Sequence, residues 1–246
     1  MIPPRLIPVL LIDRDQRVVK TVGFGPRTYV GDPFNIIRLF NEKQVDEICV
    51  LDIDAGPDRR APNFEFAAAL AAECFMPLSY GGGIAELDHA RRLIADGVEK
   101  VVLRSHATDA LIAAIAHEFG AQAVVGCLDY RMTGGERVTL GATPEPLAAA
   151  AVRLARAGVG ELILQSVDRD GARSGMDVEG IAVIASGLSV PVIALGGAGG
   201  LEHLEAATAA GADAAASGSA FCFIGRLRAV LVTYPDYTDR QRQVAV

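Results

Sequence analysis

Phe75-Met-Pro-Leu-Ser-Tyr-Gly-Gly-Gly-Ile84 is a short apolar run that ends in three glycines, and the chain contains its outline twice. Advancing 114 residues brings Ser189-Val-Pro-Val-Ile-Ala-Leu-Gly-Gly-Ala198 into alignment, with Pro77 on Pro191, Gly82 on Gly196 and Gly83 on Gly197. The same offset pairs Leu87 with Leu201, His89 with His203, Gly97 with Gly211 and Ser105 with Ser219. Backwards it pairs Val45-Asp-Glu47 with Val159-Gly-Glu161. Register kept over about 60 residues marks an internal repeat, so the chain reads as two copies of one half, about 1–120 and 121–246.

Each copy runs from an apolar stretch into Gly-Gly, through a helical stretch, to a second apolar stretch ending in a small hydroxyl residue. A strand that ends in glycines and opens into a helix lets backbone N–H groups approach an anion closely. Two such copies predict two phosphate sites, Gly82, Gly83 and Ser105 in the first half and Gly196, Gly197 and Ser219 in the second. The same glycines would also serve a tight strand–helix turn with no ligand at all.

Outward from this repeat, apolar runs alternate with helical stretches along the whole chain. The first strand is expected over Arg5 to Ile12, followed by a loop to Asp32 with a small hairpin through Arg17-Val-Val-Lys20. Further strands are expected from Glu47, Met76, Lys100, Gln122, Glu161, Val190 and Asp213, each followed by a helix, the last over Arg226 to Val232. Eight βα units predict an α/β fold, a (β/α)8 TIM barrel built from two duplicated half-barrels, with parallel strands inside and helices outside. The 246 residues, 51% of them hydrophobic, match the size of one such domain, and no linker-like stretch divides the chain near Gly120. A single barrel domain over residues 1–246 is therefore expected.

A net charge of −7 argues against a general nucleic-acid surface, which needs a basic stripe. Cys49, Cys74, Cys127 and Cys222 lack metal-ligand spacing, and reduced thiols in a cytoplasmic protein are expected. No membrane segment, metal or cofactor is expected from the pattern.

Functional side chains sit at the C-terminal ends of barrel strands. Asp52, Asp54, Arg104, Asp129, Gln165, Asp168 and Asp170 fall there, with Lys20 in the first loop. Asp129, Lys20 and Asp170 are the candidates for catalysis, and Asp52, Arg104 and Gln165 for the substrate pocket. Each acid could equally cap the turn or helix that follows it.

Gly81-Gly-Gly-Ile84, Asp168-Arg-Asp-Gly171 with Ser174-Gly175, Gly196-Gly-Ala-Gly199, Arg17-Val-Val-Lys20 and Gly31-Asp-Pro33 resemble the cyclase subunit of imidazole glycerol phosphate synthase over nearly the whole chain. The resemblance implies a doubly phosphorylated substrate and a class I glutaminase docked at the N-terminal end of the barrel. It also implies an ammonia gate, which falls on Arg5, Glu47, Lys100 and Glu161. These four residues begin strands, so they converge on the barrel floor, where a purely structural salt-bridge cluster would use them equally well. In the family, two aspartates act as general acid and base. The second is Asp129 here; the first falls on Leu11, while Arg104 and Gln165 stand where the family has Asn and Thr. The Pro8-Val-Leu-Leu start, Asn63-Phe-Glu65 and Arg228-Ala-Val-Leu-Val-Thr-Tyr-Pro235 resemble a paralogous branch from surface-polysaccharide gene clusters. That branch is implicated in converting a sugar acetamido group to acetamidino. Three readings follow: an amidino-sugar synthase subunit, a cyclase with a relocated acid, and a reduced barrel that only activates its glutaminase.

Overall fold

The structure is a computed structural model that describes residues 3–104, 107–141, 143–225 and 229–236. The eight apolar runs form the parallel strands β1 (Arg5–Ile12), β4 (Ile48–Asp52), β5 (Leu78–Gly81), β6 (Lys100–Leu103), β7 (Val124–Thr133), β9 (Glu161–Ser166), β10 (Val192–Leu195) and β11 (Ala214–Ser217). Between them run two strands of the first loop, β2 (Val18–Lys20) and β3 (Thr28–Gly31), and a further strand β8 (Glu136–Thr139). Each parallel strand pairs with the next, and β11 pairs back onto β1 with Arg5 beside Ala214 and Pro8 beside Ser217. The sheet is thereby closed into the expected barrel.

Apolar residues on both faces of the strands explain why the runs look continuous in sequence. Along β1, Leu6, Leu10 and Ile12 join the outer core, while Ile7, Val9 and Leu11 join the inner one. The outer core lies between strands and helices and includes Phe40, Leu70, Leu93, Ile112, Leu154 and Ile184. The inner core is the barrel interior, where small side chains such as Cys49, Ala214 and Ala216 sit among valines and isoleucines.

Among the described residues, seven α-helices surround the strands: α1 (Pro33–Glu42), α2 (Phe64–Glu73), α3 (Leu87–Ala95), α4 (Asp109–Phe119), α5 (Leu147–Ala157), α6 (Val178–Ala185) and α7 (Leu201–Ala209). Asp32 accepts a hydrogen bond from the Asn35 N–H and caps α1, with Pro33 in the first turn, as the Asp-Pro pair predicts. Asn63, Thr108 and Asp177 cap α2, α4 and α6 in the same manner.

The repeat persists in three dimensions at the same offset. The Phe40 carbonyl accepts from Val45 N–H and the Leu154 carbonyl from Val159 N–H. Nδ1 of His89 lies 3.3 Å from the Ala85 N–H nitrogen, and Nδ1 of His203 lies 3.1 Å from that of Gly199. Gly97 packs against Ala71 as Gly211 packs against Ala185.

Two expectations need correction. The helix expected over Arg226–Val232 is not present among the described residues: β12 (Phe223–Ile224) pairs antiparallel with β13 (Ala229–Val230), and residues 226–228 lie outside the description. The segment continues extended, with Leu231 and Thr233 donating N–H groups to the carbonyls of Cys222 and Phe221. Val230, Val232 and Thr233 are β-branched and favour that geometry. Val232 is buried, and the Tyr234 hydroxyl donates to the Leu6 carbonyl at 3.0 Å, so this strap covers the outer face that a helix would cover. The second correction is that a hairpin of β7 and β8, turning at Gly134-Gly135, comes between the fifth barrel strand and the helix that follows it. Both glycines have positive φ, +60° and +87°, which a two-residue hairpin turn requires.

The glycine loops generate a stability test. Gly82 and Gly196 have φ of +122° and +101°, and a Cβ on either would overlap a carbonyl oxygen, of Asp52 and of Ser166 respectively. Gly82→Ala and Gly196→Ala should each lose about 2–3 kcal/mol in denaturant unfolding. Gly134→Ala, whose added methyl meets nothing within 4 Å, should lose only about 1 kcal/mol.

Candidate functional site

At the N-terminal end of the barrel, Arg5, Glu47, Lys100 and Glu161 each stand at or just before the start of a strand, and closure brings them together. Arg5 reaches Glu47 at 2.6 Å and Glu161 at 2.5 Å, while Lys100 reaches Glu47 at 2.9 Å and Glu161 at 3.0 Å. The result is a closed, electrically neutral ring of alternating charge. Glu47 is the most enclosed member and also accepts from the Ser79 hydroxyl at 2.6 Å. Arg5 remains half-buried, and its guanidinium pKa, which burial would lower, is raised overall by the two glutamates. Directly above the ring, Ile7, Cys49, Ser79 and Val125 enclose a cavity of about 10 Å³.

At the other end, both Gly-Gly loops open on the same face of the barrel. The first borders a cavity of about 610 Å³, within the range of small-molecule sites. The second borders a space of about 20 Å³, lined by Lys20, Asp170, Gly196, Gly197 and Ser219. The helices that follow the loops, α3 and α7, have no side-chain hydrogen bond at their N-caps, Glu86 and Gly200. Their first-turn N–H groups are thus left without the side-chain acceptor that serves α1, α2, α4 and α6. Ser105 lies outside the described residues.

Between the loops sits Asp129, near the middle of β7 and buried. Its Oδ2 is engaged by Nε of Arg104, the residue just past the end of β6. Burial raises the Asp129 pKa above the usual carboxylate value; the Arg104 charge opposes that without overcoming it. Arg104 also lies over the Phe24 ring, 5.2 Å from its centre, a cation–π arrangement. Oδ1 of Asp129 has the Cys127 thiol 3.9 Å away, and burial drives that thiol's pKa well upward. It is not a thiolate nucleophile.

Lys20 ends β2 and is buried, with Nζ donating to the Val9 carbonyl and packed against Gly218. Burial lowers its pKa. Asp170, in the loop after β9, accepts from the Thr21 hydroxyl at 2.9 Å, and its pKa is raised by burial. The first-loop hairpin is therefore stitched to the loop after β9, which brings Lys20 and Asp170 to the second Gly-Gly loop. Asp52 borders the large cavity, but its Oδ1 accepts from the N–H groups of Asp54 and Ala55 and from Arg60 at 2.7 Å. It organises the turn after β4. Asp54 does likewise through a bidentate pair with Arg27, at 2.7 and 2.5 Å, and Asp168 accepts from the Met132 N–H. Gln165 faces the mouth and lines both cavities.

Leu11 stands at the end of β1 and lines both cavities. Asp13 does not take its place: Arg17 grips its carboxylate through Nε at 3.1 Å and Nη2 at 2.8 Å, closing a turn outside the mouth. Burial would raise its pKa, but the Arg17 hydrogen bonds prevail and hold it low. Sequence reasoning missed Thr21, Phe24 and Arg27 in the first loop and Arg60 in the turn after β4. No spacing rule selects single side chains within such loops.

Residues 5–227 match the family model described as histidine biosynthesis protein. A Pseudomonas aeruginosa protein, provisionally named imidazole glycerol phosphate synthase subunit hisF2, is 47% identical over 246 aligned residues, covering 96% of this chain and 97% of that one. A Leptospira borgpetersenii protein with a provisional name as subunit HisF of the same enzyme is 40% identical over 255 residues, 98% of each chain. The imidazole glycerol phosphate synthase subunit HisF of Chlorobaculum parvum is 39% identical over 231 residues, 91% of this chain and 92% of that one.

Two measurements follow from this geometry. Lys100→Met leaves Glu47 and Glu161 with Arg5 alone, so unfolding free energy should fall by about 2–3 kcal/mol, below the full cost for a completely buried pair because Arg5 reaches solvent. Arg104→Asn removes the charge that opposes the burial of Asp129. The carboxyl's folded pKa, already above its unfolded value, rises further, so its stabilising contribution is complete at low pH and is lost up to a higher pH. The variant should therefore differ little from the parent near pH 4 and be less stable by about 1 kcal/mol at pH 8.

Proposed function

The chain belongs to the histidine biosynthesis protein family, and from that premise we propose that it is the synthase subunit of a glutamine amidotransferase. On this reading a class I glutaminase docks at the N-terminal face, and ammonia passes the Arg5–Glu47–Lys100–Glu161 ring into the barrel. It emerges beside Asp129 and adds to a phosphorylated acceptor, forming an acetamidino group on a nucleotide-linked sugar. The four thiols, Cys49, Cys74, Cys127 and Cys222, are free, in keeping with a reducing cytoplasm.

The single observation that carries this reading is the composition of the mouth. The buried Asp129 carboxylate is tied to Arg104, and the end of β1 offers Leu11, which has no proton to give. The resemblance assigns the cyclase's ring closure to two aspartates, and loss of one acid/base group costs a step roughly 10²–10⁴-fold. Amidine formation asks less of the mouth. The ammonia lone pair forms a bond to the amide carbon, the carbon–oxygen bond breaks, and the oxygen leaves as water with two of the ammonia protons, one of them relayed by Asp129, so that amide and ammonia give amidine and water overall. A base whose pKa burial has raised suits such a transfer at neutral pH.

The ring fits a gate in electrostatic terms. All four charges are paired, so opening it breaks ion pairs that the docked partner must replace. The interior above it is lined by Ile7, Val9, Val125, Ile163 and Ile193, a surface that a neutral ammonia molecule crosses far more readily than ammonium. The uncapped N-termini of α3 and α7 suit two anionic groups of one ligand, and Lys20 suits the second.

A true cyclase is the second reading, favoured by the names of the relatives and by the retention of Asp129 between two Gly-Gly loops. One assay separates the two. Given free ammonium and the cyclase substrate, the purified chain should turn over little or nothing, and Leu11→Asp should not restore activity; robust cyclase turnover in the parent overturns the proposal. With its glutaminase, glutamine and a nucleotide-linked N-acetyl sugar, the chain should form an amidino product. Asp129→Asn should lower that rate by about 10²-fold or more without changing partner binding.

A further inference from the structure

Most polar side chains that line the two cavities are already engaged. Arg104 is held by Asp129 behind the cavity wall, Asp170 by Thr21, and Lys20 by the Val9 carbonyl. Asp52 is held by Arg60 and two backbone N–H groups. Gln165 differs. It is 95% buried, being only 5% exposed, yet its amide makes no hydrogen bond among the described residues, while a backbone ladder fixes its place beside Asp129 on β7 and Leu195 on β10. It borders both the large cavity and the small one, so it stands at the boundary between the two half-sites. An amide that has no protein partner and opens onto a cavity is free to take a ligand's hydrogen-bonding group.

The surroundings define that group. Gln165 carries no charge, and the anionic parts of a ligand are better served by the glycine loops, Lys20 and Arg104. Beside Gln165, Leu11 lines both cavities and Leu195 the smaller one, both apolar. A ligand group that satisfies all three is neutral and compact, with one acceptor oxygen for the Gln165 NH2 and a small apolar substituent for the leucines. We propose that Gln165 binds the carbonyl oxygen of an N-acyl group on the phosphorylated ligand, with Leu11 and Leu195 packing against the acyl carbon chain. This deepens, and rests on, the amide-acceptor reading above: it assigns the reacting amide to a position beside Asp129. It also gives Leu11 a positive role, since a carboxylate there would face the acyl methyl.

The test is binding of UDP-N-acetylglucosamine and UDP-glucose, which differ in the acylamino group, measured by calorimetry on the full chain. The parent should prefer the N-acetyl sugar nucleotide by roughly 10- to 100-fold, the effect of one buried hydrogen bond made or missing. Gln165→Leu should abolish the preference and leave UDP-glucose affinity within about threefold, and Gln165→Met, closer in shape, guards against a folding artefact. Equal or absent binding of the two nucleotides by the parent, or a preference that survives in either folded variant, overturns the proposal. An intact preference with no amidino product would instead sink the reaction assigned above and leave the recognition of the acyl group standing.

Discussion

Pairing of β11 with β1 is the constraint on which the rest of the molecule depends. Without that last ladder the sheet would have two open edges and four charged strand-starts scattered along one side. With it, the residue beside Ala214 is Arg5, and Arg5 comes within reach of both Glu47 and Glu161. Lys100 closes the ring from the opposite pair of bonds. Two cations and two anions in a half-buried place survive because each charge has two partners. The same closure sets two glycine loops, 114 residues apart in sequence, around a single mouth.

Closure also divides the apolar residues into two cores with different demands. The outer one is a broad layer between strands and helices and takes aromatic rings such as Phe40, Phe66 and Tyr80 beside leucines and isoleucines. The inner one must fit inside a narrow cylinder and takes no aromatic ring among the described residues, with Cys49, Ala214 and Ala216 among valines, isoleucines and leucines. Burial pushes the Cys49 and Cys127 thiols upward, so both behave as small apolar residues. Above the ring the described residues thus offer an uncharged lining in which the Ser79 hydroxyl and the Cys49 thiol sit among apolar side chains.

The two halves share a backbone frame and differ in side chains, and the chemistry lies in the difference. Gly82 and Gly196 make the same close approach to the preceding strand's neighbour, yet that neighbour is Asp52 in one half and Ser166 in the other. The first half keeps an open cavity bordered by Phe24 and Arg104; the second is nearly filled by Lys20. Asp129 stands between them, its pKa raised by burial and restrained by Arg104. A pseudo-twofold scaffold with an off-axis acid suits an unsymmetrical ligand anchored at two anionic points.

The barrel was legible in the sequence because repetition and hydrophobic period are local properties: the 114-residue offset, the Asp32-Pro33 helix start and the Gly-Gly strand ends each declare themselves within a short window. So was the convergence of Arg5, Glu47, Lys100 and Glu161, since all four begin strands of one parallel sheet. The β7–β8 hairpin was not legible: Gly134-Gly135 read as part of a polar loop, and only the pairing of residues such as Tyr130 with Thr139 makes it a hairpin. The strap that replaces an eighth helix was not, because Leu231 and Thr233 become extended only by donating to carbonyls of Cys222 and Phe221. Nor could a sequence show that Arg104 reaches Asp129, that Asp52 is tied into its own turn, or that Gln165 is left without a partner. Those outcomes turn on ångström-scale distances between side chains from different strands, and only the closed barrel sets them.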